Sequence, residues 1–136
     1  MGSWGLGAFE NDTALDWAHE LETVDDVALL KDTFEGVLAL GADYLDADLA
    51  QEGLAACEVV ARLKGQWGER SEATQVVDTW IDTQRRKPAT TLVNKALAVI
   101  DRITAPPCEL LEEWDEQGSL QDWIDGVEEL RARIAR

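Results

Sequence analysis

Apolar residues return along this chain three and four positions apart, the repeat that gives an α-helix one apolar face, and no stretch sustains an alternation of β-branched residues. Helices are therefore expected from end to end. Ala14, Trp17, Ala18 and Leu21 make the first face, with Asn11 or Asp12 as the capping residue. A second segment begins at Thr23, places Val27, Leu30, Phe34 and Val37 on one side and ends at Gly41, a residue suited to a left-handed C-cap. The third carries a narrow stripe of small residues, Ala47, Ala50, Leu54, Cys57 and Ala61, and closes at Gly65. Small side chains there let neighbouring helices approach closely. Ser71 can cap a fourth helix bearing Ala73, Val76, Val77, Trp80 and Ile81, and Leu92, Ala96, Val99 and Ile103 mark a fifth after Pro88. Pro107 is expected to open a short sixth with Leu110, Leu111 and Trp114, ending near Gly118. Ser119 starts the last, with Trp123, Val127, Leu130 and Ile134 on its face and Arg131, Arg133 and Arg136 at its cationic end. The links are too short for a domain boundary and nothing repeats. The fold expected is all-α: a single-domain bundle of six or seven helices over residues 1–136, with a Gly/Trp-rich N-terminal segment packed on it.

Charge changes the picture more than composition does. The 136 residues hold 28 acidic and 12 basic side chains, a net charge of −16, where a small soluble domain ordinarily carries about 2 to 8 units. Nucleic acid and anionic membranes both need a cationic surface, so neither is an expected partner. No apolar run is long enough to span a membrane, and the acidic start lacks the features of a secretory or transit signal, so a cytoplasmic protein is expected. The acidity is blockwise: residues 1–60 hold 14 acids and one base, whereas residues 61–105 hold 5 and 8. Arg85, Arg86 and Lys87, just before Pro88, are expected at a helix C-terminus. Eight like-charged acidic pairs fall four residues apart and only four opposite-charged pairs do. Each like pair costs about 0.2–0.5 kcal/mol in a helix, so the acids are not arranged to stabilise the chain's own helices; they serve solubility, an acidic or salty cell interior, or a basic partner.

Candidate chemistry is sparse. The one histidine, His19, lies off the apolar face of its helix and reads as a surface residue, which leaves no Ser/His or Cys/His nucleophile. Cys57 and Cys108 stand far apart, outside any metal-binding or disulfide pattern, and read as small core residues. Two carboxylate groups, Asp43/Asp46/Asp48/Glu52 and Glu109/Glu112/Glu113/Glu116, lack the order of a calcium loop and read as solvated acidic faces. No metal and no cofactor is expected. Gly2, Gly5 and Gly7 lack the lysine of a phosphate-binding loop, and their use is taken to be a tight turn that lets Trp4 and Phe9 pack on the bundle. Glu58 sits at the edge of the small-residue stripe, where a carboxylate needs a partner. Two readings are open: a pair with Arg62, or hydrogen bonds from a folded-back N-terminal loop.

The opening residues carry one specific pattern. Met1, Gly2, Trp4, Gly5, Gly7, Phe9, Asn11, Asp12, Ala14, Asp16 and Trp17 resemble the start of a family of small, mostly bacterial proteins known only as a domain of unknown function. Residues 54–65 are similar to that family's Ala-rich helix, with Cys57 where alanine is usual. The resemblance implies no activity, catalytic residue or cofactor.

The function expected from these features is an acidic protein-interaction module, of the immunity or antitoxin type, that covers the basic surface of a partner such as a nuclease. Asp43, Asp46, Asp48 and Glu52 are its candidate partner surface. The alternative is an enzyme or small-ligand-binding protein with a site where the N-terminal segment meets the bundle, built on Trp4, Phe9, Asn11, Asp12, Asp16 and Glu58.

Overall fold

The segment richest in small residues becomes the axis of the molecule. In the computed structural model, which describes residues 5–84 and 86–136, the helices are α1 (Asp12–Leu21), α2 (Ala28–Leu38), α3 (Ala47–Leu63), α4 (Gln75–Thr83), α5 (Thr90–Ile103), α6 (Glu109–Glu116) and α7 (Leu120–Ala135). A 3-10 turn over Glu72–Thr74 leads into α4. Among the described residues there is no β-sheet, only one isolated parallel bridge, and no helix is long and apolar enough to cross a membrane.

α3 packs against each of the other six helices. A helix so placed must be narrow and apolar nearly all round, and 14 of its 17 residues are buried. Gly53 shows how tight the fit is: a Cβ there would lie 3.1 Å from Ile103 and 3.2 Å from both Val37 and Val99, where α2 and α5 cross the axis. Trp17 on α1 donates its indole N–H to Thr33 on α2 at 2.9 Å, and Trp80 on α4 donates to the Val24 carbonyl at 2.8 Å, so two large aromatics are buried with their polar atoms satisfied.

The ends follow local chemistry. Asn11, not Asp12, caps α1, its side-chain oxygen accepting from the Ala14 N–H at 2.8 Å. Gly41, Gly65 and Gly118 have positive φ just beyond α2, α3 and α6, as their positions in the sequence predict. Lys64 reaches the carbonyls of Ile134 and Arg136 at the C-terminus of α7, where a cation meets the negative helix end.

Three expectations are corrected. Val27 does not join the inner face of α2; it is the residue before the helix and is exposed, because α2 starts at Ala28 rather than Thr23. Pro107 does not open α6. It follows Pro106 through a cis peptide bond in a loop, and the helix starts two residues later at Glu109. Arg86 and Lys87 lie in the link after α4, beyond its C-cap Gln84, and Arg85 is outside the described residues.

Candidate functional site

Two loops far apart in sequence are fastened together at one end of the bundle. Leu45 accepts from the Glu109 N–H at 2.8 Å and donates to the Pro107 carbonyl at 3.2 Å, which sets the start of α6 beside the start of α3. Arg102, in the last turn of α5, holds both loops: its guanidinium donates to the carbonyls of Gly41 at 2.8 Å, Asp43 at 2.6 Å, Ala105 at 3.1 Å and Pro107 at 2.9 Å. Thr13, in the first turn of α1, donates to Asp48 Oδ1 at 3.1 Å and brings a third helix start to the same place.

The three helix N-termini surround a cleft of about 530 Å³ lined by six carboxylates: Asp12 from α1, Asp46, Asp48 and Glu52 from α3, and Glu109 and Glu113 from α6. Part of this negative charge is used locally. Asp46 accepts from the Leu49 N–H and Glu109 from the Ala47 N–H, each at 2.8 Å, and each helix end offers about half a positive charge to the acids of its first turn. Glu52 and Glu113 stand a turn further along and share in none of that capping. Burial, reinforced by Glu20, Asp48 and Asp46, pushes the Glu52 carboxyl above its ordinary range, and burial together with Glu109 does the same to Glu113. Glu113 Oε2 is fully buried without a hydrogen-bond partner. Among the described residues no three acids, cysteines or histidines stand close enough to hold a metal ion. The cleft is therefore a broad negative field. At its border the exposed Tyr44 phenol hydrogen-bonds to Glu112, and that carboxylate, with Glu109 nearby, pushes the phenol up to about 12.

The N-terminal segment does pack on the bundle as expected. Phe9 is buried, Asn11 donates to the Ala8 carbonyl at 3.3 Å, and Glu10 folds back to accept from the Gly7 N–H at 3.1 Å. A Cβ on Gly5 or Gly7 would run into the Glu10 carboxylate, at 2.3 and 2.5 Å. Trp4 lies outside the described residues. A second groove, of about 450 Å³, runs between this segment and α3 and α7.

At the floor of that groove Glu58 is buried and paired with Arg62, as the first reading expected, and the second reading is corrected: its other hydrogen bonds come from α7, and among the described residues none comes from the N-terminal loop. Glu58 Oε1 accepts from Arg62 Nε at 3.0 Å and Arg133 Nη1 at 2.8 Å, and Oε2 accepts from Arg133 Nη2 at 2.8 Å. Arg62 also pairs with Asp78, and Arg133 with Glu129 at 2.7 Å. Burial alone would lower the Arg133 guanidinium, yet the bonds and charge of Glu58 raise it further than burial lowers it. Trp67 covers this cluster, with the Arg70 guanidinium 3.7 Å and that of Arg62 5.5 Å from its ring centre.

The candidate residues thus divide. Asn11, Asp12, Asp46, Asp48 and Glu52 meet in the acid cleft, while Phe9 and Glu58 line the other groove. Asp16 and Asp43 are exposed and border neither. Glu109, Glu113 and Arg133 are additions: the two acids belong to a group read as a separate surface, and Arg133 to a cationic helix end. Arg133 had a sequence signal, since it stands three residues after the core residue Leu130, at helical spacing from the buried face. His19 is exposed and pairs with Glu22, and both cysteines are free and buried in the core.

No curated protein matches the chain, and no solved structure does. A family model does, over residues 2–125, nearly the whole length. The chain belongs to the family described as Domain of unknown function (DUF4259).

Proposed function

We propose that the protein is an acidic interaction module whose cleft at the three converging helix N-termini receives a basic side chain of a partner protein. The observation that carries this reading is the surplus of negative charge in the cleft. Capping accounts for Asp46 and Glu109 and suits Asp12 and Asp48 in their first turns; Glu52 and Glu113 remain, each with its carboxyl raised by burial and by other acids nearby. An arriving cation relieves that repulsion. With the carboxylates spread over a cleft of about 530 Å³, an organic cation suits it better than a small metal ion, whose ligands must converge on one point. An immunity or antitoxin-type protein that covers a basic surface has this requirement, and the net charge of −16 would also speed encounter with such a partner. In the second groove, by contrast, the buried charges already pair with one another, which leaves them less to offer a small ligand.

The test is to capture partners from the native host with the intact protein and measure association with Glu52→Gln/Glu113→Gln beside the wild type. Support is a basic partner whose association rate falls steeply with salt and whose affinity drops for the double variant. A partner that binds both proteins equally, with a rate indifferent to salt, overturns the reading.

A further inference from the structure

Two of the helix starts that wall the cleft are delivered by separate loops, residues 39–46 before α3 and residues 104–108 before α6. Leu110 and Trp114 anchor the body of α6 in the core, whereas its start depends on the loop that leads into it. Arg102 divides its hydrogen bonds evenly between the two loops, Gly41 and Asp43 on one and Ala105 and Pro107 on the other. A single nitrogen joins them directly, since Nη2 donates to Asp43 at 2.6 Å and to Pro107 at 2.9 Å. Arg62, Arg131 and Arg133 direct their guanidinium groups at carboxylates, but Arg102 forms no ion pair among the described residues. Four carbonyls in different directions call for the fixed fork of a guanidinium, and the three donors of a lysine, all on one atom, could not serve both loops alike. Tyr44, between the held residues Asp43 and Leu45, hydrogen-bonds across the same seam to Glu112 on α6.

We propose that Arg102 is the positioning residue of the cleft: by fastening the two loops it sets how far the start of α6 stands from the start of α3, and so the spacing of Asp46, Asp48 and Glu52 on one wall from Glu109 and Glu113 on the other. Its consequence for binding rests on the reading of the cleft given above; its effect on the geometry does not. Like charges on the two walls repel one another, and Arg102 opposes that repulsion from outside the cleft, which it does not line. Without it the two backbone bonds of Leu45 and the bond from the Ala47 N–H to Glu109 remain, so the seam loosens while the chain stays folded. Arg102 is half-buried and three of its four bonds lie at the surface, away from the packed core.

The experiment compares Arg102→Gln and Arg102→Lys with the wild type in the intact protein. Arg131→Gln is the control, because it removes the same charge and breaks the pair with Asp101, the neighbouring residue of α5. The first readout is the titration of Tyr44, the only tyrosine, by tyrosinate absorbance. The expected result is a fall from about 12 toward the ordinary 10.0 in Arg102→Gln, an intermediate value in Arg102→Lys and no change in Arg131→Gln. Removing a cation makes a phenol harder to ionise, so a fall reports the lost contact with Glu112 and not the lost charge. The second readout is the affinity for Nα-acetyl-lysine amide, followed through the backbone amide resonances of the residues that line the cleft. Arg102→Gln should weaken it by about 2- to 30-fold, the span of residues that act on a site without touching its ligand. If Tyr44 titrates in Arg102→Gln as in the wild type, Arg102 does not set the spacing and the inference fails, with the reading of the cleft untouched. If Tyr44 shifts while the amide binds both proteins equally, the spacing does not govern the cleft and the positioning role fails. If the amide does not bind even the wild type, the reading of the cleft fails, and Tyr44 still decides whether Arg102 sets the geometry. Should Arg102→Gln not fold, Arg102→Lys carries the same test through a smaller shift.

Discussion

Glu58 on α3 and Arg133 on α7, 75 residues apart in sequence, face each other through two hydrogen bonds of 2.8 Å, each carboxylate oxygen meeting its own guanidinium nitrogen. Both side chains are more than nine-tenths buried. Paired charges in that position contribute little net stability over an apolar substitute, but removing one partner leaves the other uncompensated.

Glu58→Gln should therefore lower the unfolding free energy by about 3–5 kcal/mol, a large part of the ~5–15 kcal/mol of an ordinary domain. Urea denaturation followed by tryptophan fluorescence measures it. Arg133→Lys keeps the charge but loses the two-pronged geometry, and should fall between wild type and Glu58→Gln. A loss under about 1 kcal/mol for Glu58→Gln would mean that the pair is not buried in solution.

Two glycines should respond oppositely to the same substitution. A Cβ on Gly68 would stand 2.9 Å from both Arg133 Nη1 and Glu58 Oε1, and these atoms are held by their mutual bonds. Gly68→Ala should cost about 1–3 kcal/mol. Gly126, inside α7, has nothing within 4 Å of its would-be Cβ. Gly126→Ala should add about 0.5–1 kcal/mol by favouring the helix. Thermal melts of the two variants side by side check both signs.

The cleft sets a pH dependence. Glu52 and Glu113 have folded-state values raised above those of the unfolded chain, so the folded protein holds their protons more tightly. Their favourable contribution is complete below the unfolded value of about 4.3 and is lost as pH rises through the raised values. Glu113→Gln should accordingly melt above the wild type at neutral pH, and the gap should close as the pH falls below the unfolded carboxylate value. A constant gap across that range would contradict the assignment.

Tyr44 offers a clean optical check, because it is the only tyrosine. Its phenol should titrate at about 12, and Glu112→Gln should return it toward the ordinary 10.0 by removing the charged acceptor. Tyrosinate absorbance against pH reads both values.

Much of the architecture was legible because it is written in short-range repeats. The stripe from Ala47 to Ala61 identified the central helix, and Gly41, Gly65 and Gly118 marked true helix ends, since φ, capping and helical periodicity are set within a few residues. The cleft was legible only in pieces. Asp46, Asp48 and Glu52 form one visible cluster and Glu109 and Glu113 another, but nothing local tells that Leu45 bridges to the residues before α6 or that Arg102 binds both loops. Glu58 showed the same limit: its partner at four residues, Arg62, could be read from spacing, while its partner at 75 residues could not.

The clasp between Glu58 and Arg133 also bears on how the chain is made. At a synthesis rate of about 5–20 residues per second, the ribosome adds Arg133 roughly 4–15 s after Glu58. During that interval the axial helix has met neither α7 nor its second counter-ion, and its many small apolar side chains lack part of their cover. A native core can close only after α7 has been made, so the nascent protein passes through a stage of several seconds in which α3 is a target for chaperones or for a neighbouring chain.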